Sequence, residues 1–130
     1  MKTKKGLGPE DIIHKNFAGL MKQYEGYKQL NAVWWSYDAS GESRSKTTGG
    51  LLKSKGLRPG KSDFEVRTLR GDIMHHIYLE FKAGKNKQQV NQKDFEFTCE
   101  GSINNRYYVV YSVEEAVGVL EKEGIINKTR

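Results

Sequence analysis

Ile12, Ile13, Phe17, Leu20, Met21 and Tyr24 recur at steps of three and four residues, which predicts an amphipathic helix over about 9–25. Pro9 suits its first turn, and Glu10 and Asp11 face the positive end of the helix dipole. The polar, basic residues 1–8 read as a loose arm. After the helix the apolar period changes. Asn31 to Tyr37, with Val33, Trp34 and Trp35, reads as a strand. Ser62 to Leu69 and His75 to Ala83 read as two more, joined through Arg70-Gly71-Asp72-Ile73. Between them Ser43 to Lys55 is expected as a helix weakened by Gly49 and Gly50, followed by a turn over Gly56 to Gly60. Gln88 to Glu100 is expected as a helix with Val90, Phe95 and Phe97 buried, and Arg106 to Tyr111 as a strand. Ser112 caps a last helix over Val113 to Lys122, with Glu115 completing a capping box. Residues 127–130 are a polar tail.

This alternation predicts an α/β domain, a mixed central β-sheet flanked by helices. At 130 residues, without an internal repeat or a dividing linker, the chain is expected to form a single domain over 1–130. No apolar run approaches the roughly 18 residues of a membrane helix, and no apolar stretch follows the basic start. The expectation is a cytoplasmic protein. The one cysteine, Cys99, fits a reducing compartment and cannot build a cysteine metal cluster; it is expected as a small buried residue.

The two middle strands carry the most informative geometry. A Gly71-Asp72 loop is a type II′ signal, because glycine accepts positive φ at the first central position. Arg70 then faces Ile73, and counting back along both strands brings Asp63 opposite Glu80, with Cβ atoms roughly 4.5–5.5 Å apart. Lys82 points the same way as Glu80, while Ile77, Leu79 and Phe81 take the other face. Opposed carboxylates repel, whereas a hard divalent cation between them, Mg²⁺ or Mn²⁺, reverses the sign. Such an ion polarises a phosphoryl oxygen and activates water, and Lys82 is placed to steady the attacking water or the charge developing on phosphorus. The plainer alternative is a salt-bridged patch on a solvated strand face.

Charge adds a partner. Lys and Arg number 22 against 16 Asp and Glu, a net +6. From Ser43 to Ser62 there are six basic residues and no acid, and Lys82, Lys85, Lys87 and Lys93 follow without one from Lys82 to Lys93. Cationic stretches flanking a carboxylate pair favour a polyanion through counterion release. Arg44, Lys46, Lys53, Arg58, Lys61, Lys85 and Lys87 are the expected DNA phosphate contacts, which position a duplex without reading its sequence.

The run from Gly56 through Gly60 to Asp63, then Tyr78-Leu79-Glu80-Phe81-Lys82, then Gln92, resembles the VRR-NUC (virus-type replication-repair nuclease) domain. That family has the restriction-endonuclease-like PD-(D/E)XK core, and the likeness extends from Glu10 through the last helix, as in a stand-alone minimal member. The resemblance implies Asp63 and Glu80 as metal ligands, Lys82 as the catalytic lysine and Gln92 as a helper near phosphate or water. It adds Glu10 as an acidic residue completing the site, and the Phe81 carbonyl as a further ligand. Ser62 stands where the family usually has proline, and Tyr37 to Gly41 where relatives often carry an Asn-Gly-rich loop. Small relatives are similar to Holliday-junction resolvases. The resemblance therefore implies an Mg²⁺- or Mn²⁺-dependent endonuclease on branched DNA, such as four-way junctions, in a bacterial or phage-infected cell. A two-fold junction needing two cuts suits a homodimer.

Two other classes stand beside this one, a DNA-binding module without catalysis and a basic RNA-binding protein. No nucleotide cofactor is expected: the Gly56–Ser62 run has three residues between its glycines rather than four and precedes a strand, not a helix. His75 and His76 are strand neighbours facing opposite ways, and His14 reads as a packed or partly exposed histidine near the apolar face of the first helix. Trp34 and Trp35 also alternate, so one belongs to the core and the other is available to stack on a base.

Overall fold

Helix α1 (Pro9–Gly26) forms where the apolar spacing puts it, with Phe17 and Met21 wholly buried and the Asp11 carboxylate accepting the Gly8 N–H at its start. The computed structural model describes residues 8–38, 55, 61–85, 88 and 90–127. Residues 1–7 of the arm expected over 1–8, most of the helix expected over Ser43 to Lys55, the turn over Gly56 to Gly60 and the last three residues lie outside them.

Strands β1 (Trp34–Tyr37), β2 (Phe64–Arg70), β3 (Ile73–Phe81) and β4 (Asn105–Val110) form one sheet in the order β1-β2-β3-β4. The first three are antiparallel and β4 runs parallel to β3, so the sheet is mixed. A parallel neighbour needs a crossover, and α2 (Val90–Glu100) supplies it. Helix α3 (Val113–Lys122) follows β4. Over the described residues the domain is thus α/β, a four-stranded mixed sheet with three helices on it. None of the described helices is long and apolar enough to cross a membrane.

The hairpin has the expected register: Arg70 pairs with Ile73 and Phe64 with Leu79. Of the two loop residues only Gly71 has positive φ, at 64°, the conformation glycine adopts without a Cβ clash. One sheet face presents Phe64, Val66, Ile77, Leu79, Phe81 and Val110 to Phe17 and Met21 of α1 and to Ala116, Val117 and Leu120 of α3. Phe64 is central, edge-on to Phe17 at 4.9 Å and to Phe81 at 5.7 Å. The opposite face carries Glu65 and Arg67 beside His76, Tyr78 and Glu80, and α2 reaches it through Phe95, edge-on to Tyr78 at 5.0 Å.

Three local expectations are corrected. Val90 and Phe97 are each 78% exposed, because 100° per residue turns Phe97 away from the side on which Phe95 packs. The first strand begins at Trp34 rather than Asn31, whose N–H and carbonyl bond instead to Ile125 and Thr68. Ser112 does cap α3 by accepting the Glu115 N–H, but the Glu115 carboxylate takes the N–H of Tyr111, not that of Ser112.

Just past α3, the buried carboxylate of Glu123 joins the hairpin to β4 and the helix. It meets the Tyr108 hydroxyl, Arg70 Nη2 at 2.9 Å and Arg106 Nε at 3.4 Å. Burial alone raises its pKa, yet the bonds from Tyr108 and Arg70 and the two positive charges outweigh burial and lower it. A depressed carboxyl contributes stability above its unfolded pKa, about 4.5, and loses it as pH falls through the folded value. Urea denaturation should therefore show wild type more stable than Glu123→Gln at pH 7, with the gap closing as pH falls below about 4.5. A gap independent of pH would contradict this account.

Candidate functional site

Asp63 and Glu80 come next beyond the last paired positions, Phe64 and Leu79, close enough for the charge of Asp63 to act on Glu80. Here a side chain takes over from the ladder: Asp63 Oδ2 accepts the Phe81 N–H at 2.7 Å. The carbonyl of Asp63 accepts the Asp38 N–H at 2.7 Å, which ties the end of β1 to the same point. Ser62 is fully buried, and its hydroxyl donates to the Phe64 carbonyl at 3.0 Å, so serine holds this corner where a proline could not donate.

Helix α1 brings two further groups. Glu10 Oε2 accepts the Ala83 N–H at 3.2 Å, just past the end of β3. One turn on, His14 Nε2 lies 3.1 Å from Asp63 Oδ2 without the alignment of a hydrogen bond. Its ring packs among Tyr37, Phe64 and Phe81, with centroids 5.3, 5.8 and 5.6 Å away. The packed histidine expected there is also a neighbour of Asp63. Its four-residue spacing from Glu10, which puts both on one side of α1, was the signal available for that contact.

Glu80 is only 2% exposed. Lys82 Nζ lies 3.4 Å from its Oε2, and Gln92 Nε2 donates to the same oxygen at 2.9 Å. Oε1 is buried with no hydrogen-bond partner. Burial, then the charge of Asp63, pushes the Glu80 carboxyl well above the usual range; Lys82 opposes this and Glu10 adds to it.

A second buried glutamate on this face shows what full matching looks like. Glu65 meets Arg67 Nε and His76 Nδ1, each at 2.8 Å, and Lys61 Nζ at 3.3 Å. Burial pushes its pKa up, but these partners overrule it and hold the carboxyl at about 2. Glu65 is charged and satisfied; Glu80 is crowded by like charge and half unsatisfied.

The fold thus brings Asp63, Glu80, Lys82, Gln92 and Glu10 to one end of β3. Phe81 lies between Glu80 and Lys82 and commits its N–H to Asp63. Lys61, expected on phosphate, is held by Asp38 at 3.1 Å as well as by Glu65. Lys85 is exposed after β3. Arg44, Lys46, Lys53, Arg58 and Lys87 lie outside the described residues. Cys99 is buried as expected; burial, with nearby Glu96 and Glu100, pushes its thiol up to about 11. Among the described residues no three His, Cys, Asp or Glu side chains converge into a ready-made metal cage. No family model, no curated protein and no solved structure matches the chain.

A carboxyl whose pKa rises on folding favours the fold below its unfolded value of about 4.5, and that contribution is lost as pH rises through the folded value. In metal-free buffer, Glu80→Gln should gain stability relative to wild type as pH rises from about 5 to about 8, read by urea denaturation. A difference that stays flat across that range would mean Glu80 is not held at a cost.

Proposed function

We propose that the chain is a divalent-metal-dependent nuclease of the VRR-NUC type, with a PD-(D/E)XK core, that hydrolyses phosphodiester bonds in branched DNA. The observation that carries this reading is the buried Glu80, within reach of the charge of Asp63 and with one of its oxygens without a partner. The donor set fits Mg²⁺ or Mn²⁺, since Mg²⁺ is held by one or two carboxylates and keeps its other positions for water and substrate phosphate. The lack of a three-residue cage is therefore no obstacle. Asp63 and Glu80 would hold the ion, with the Phe81 carbonyl and Glu10 as further donors. When bound, the ion supplies Lewis-acid polarisation of the phosphodiester and a lowered pKa for attacking water.

The chain's own residues supply the rest. Phe81 N–H and His14 engage Oδ2 of Asp63, which leaves Oδ1 to turn toward a ligand. Gln92 and Lys82 fix Oε2 of Glu80, while Oε1 is buried without a hydrogen-bond partner. Lys82, nearly buried, keeps an ammonium beside the reacting phosphate, where low dielectric strengthens its hold on developing negative charge. Four-way junctions are the first substrate to examine, and their two-fold symmetry suits a homodimer making paired cuts.

The test is cleavage of four-way junction, flap, splayed and linear duplex DNA in Mg²⁺ or Mn²⁺. Asp63→Ala and Lys82→Ala should each lower the rate roughly 100-fold or more with DNA binding retained. Undiminished cleavage by either variant overturns the assigned roles. Wild-type binding without any metal-dependent cleavage would leave a DNA-binding module instead.

A further inference from the structure

Trp34 opens β1 with 56% of its surface exposed, while Trp35 turns inward toward Phe64. A large aromatic left in water on an edge strand invites a partner. Its indole N–H donates to Ser36 Oγ at 3.3 Å, so the ring is tethered to its own strand. Directly across the ladder lies Arg67, whose side chain is 43% exposed. Glu65 takes Nε at 2.8 Å and one Nη2 contact at 3.4 Å, which orients the guanidinium and leaves its other N–H donors to outside acceptors.

Position settles what this pair would meet. Trp34 and Arg67 share a sheet face, and Asp63 lies four residues back from Arg67 along the chain, just before β2, about 13 Å away at strand rise. An aromatic plane and an oriented cation, set that far from a carboxylate pair, match the stacking-plus-phosphate chemistry by which proteins hold unpaired nucleotides. A continuous duplex hides its base faces in the stack, whereas a branch point or an unpaired arm exposes them.

We infer that Trp34 and Arg67 form a subsite for one unpaired nucleotide, the indole stacking on the base and the guanidinium holding a flanking phosphate. The inference takes its ligand from the nucleic-acid reading above, and its geometry stands apart from catalysis. It gives the chain a physical means to prefer branched or splayed DNA over linear duplex: the branch nucleotide is gripped about 13 Å, four strand residues, from the carboxylates.

The experiment measures binding in EDTA, where no cleavage occurs, by fluorescence anisotropy of labelled splayed-arm DNA and of linear duplex of equal length. Trp34→Ala should weaken the splayed-arm complex roughly tenfold and change duplex binding by less than about twofold, with Trp34→Phe restoring most of the loss. Arg67→Gln should make the slope of log affinity against log salt shallower by about 0.7–1, one phosphate contact. Equal loss on both DNAs, or no loss on either, overturns the subsite. So does a shift of Trp34→Ala to a smaller species in sedimentation, which would make the indole a contact between copies of the chain. A wild type that cleaves but shows no Trp34 dependence sinks this inference alone, and one that grips splayed DNA through Trp34 without cleaving sinks only the nuclease reading.

Discussion

The arrangement depends on a two-residue turn. Gly71 and Asp72 set the register of β2 against β3, and that register brings Asp63 and Glu80 level just past its far end, Phe64 and Leu79. A slip of one residue would exchange the faces of a strand, sending Glu80 into the layer of Phe64, Phe17 and Phe81. The core opposes such a slip with several aromatic and aliphatic side chains, each contributing about 1.5–3 kcal/mol on burial. Hydrophobic packing on one face thus enforces the meeting of like charges on the other. The Phe81 N–H then captures Asp63 Oδ2 at the point where the main-chain ladder stops.

Glu65 and Glu80 show how two glutamates on one strand face acquire opposite characters. Both are nearly inaccessible to water. Glu65 is matched by Arg67, His76 and Lys61, so the folded state stabilises its charge. Glu80 has one ammonium against the fields of Asp63 and Glu10, and one oxygen without a partner. A buried unsatisfied acceptor costs about 1–3 kcal/mol, more when charged. A chain with other stabilising contacts can hold such a group, and sites that bind ions or reacting phosphates are where such costs are usually found.

Much of this was legible because it rests on local rules. The three-and-four spacing marked α1, the Gly-Asp loop fixed the hairpin, and alternation separated Trp34 from Trp35. What escaped depends on distant partners. Lys61 counted as a free cation in the sequence, although Asp38 and Glu65 hold it in the fold. His14 read as packing because the rings around it come from β1, β2 and β3, none of which lies near it in the chain. Val90 and Phe97 were expected inside because they are apolar, but α2 meets the sheet through Phe95, which packs on Tyr78 and Tyr107, while Val90 and Phe97 lie exposed. Asn31 looked like strand, yet Ile125 and Thr68 claim its main-chain groups before pairing begins.

Helix α1 explains why the site is one with the fold rather than an addition to its surface. Glu10 and His14 stand at its first turns, and Phe17 and Met21 follow in the next two. The bond from the Ala83 N–H to Glu10 contributes about 1 kcal/mol, too little to position a helix of eighteen residues. Burial of Phe17 and Met21 contributes about 1.5–3 kcal/mol each and sets where the helix lies. The polar end follows from the apolar one. Once Phe17 locks against Phe64 and Phe81, helix pitch carries His14 to Asp63 and Glu10 to the end of β3, about 6 Å apart along the axis. Glu10 and His14 are therefore placed by core packing around Phe17, so a change to the core at Phe17 would act on the carboxylates as surely as a change to Asp63 itself.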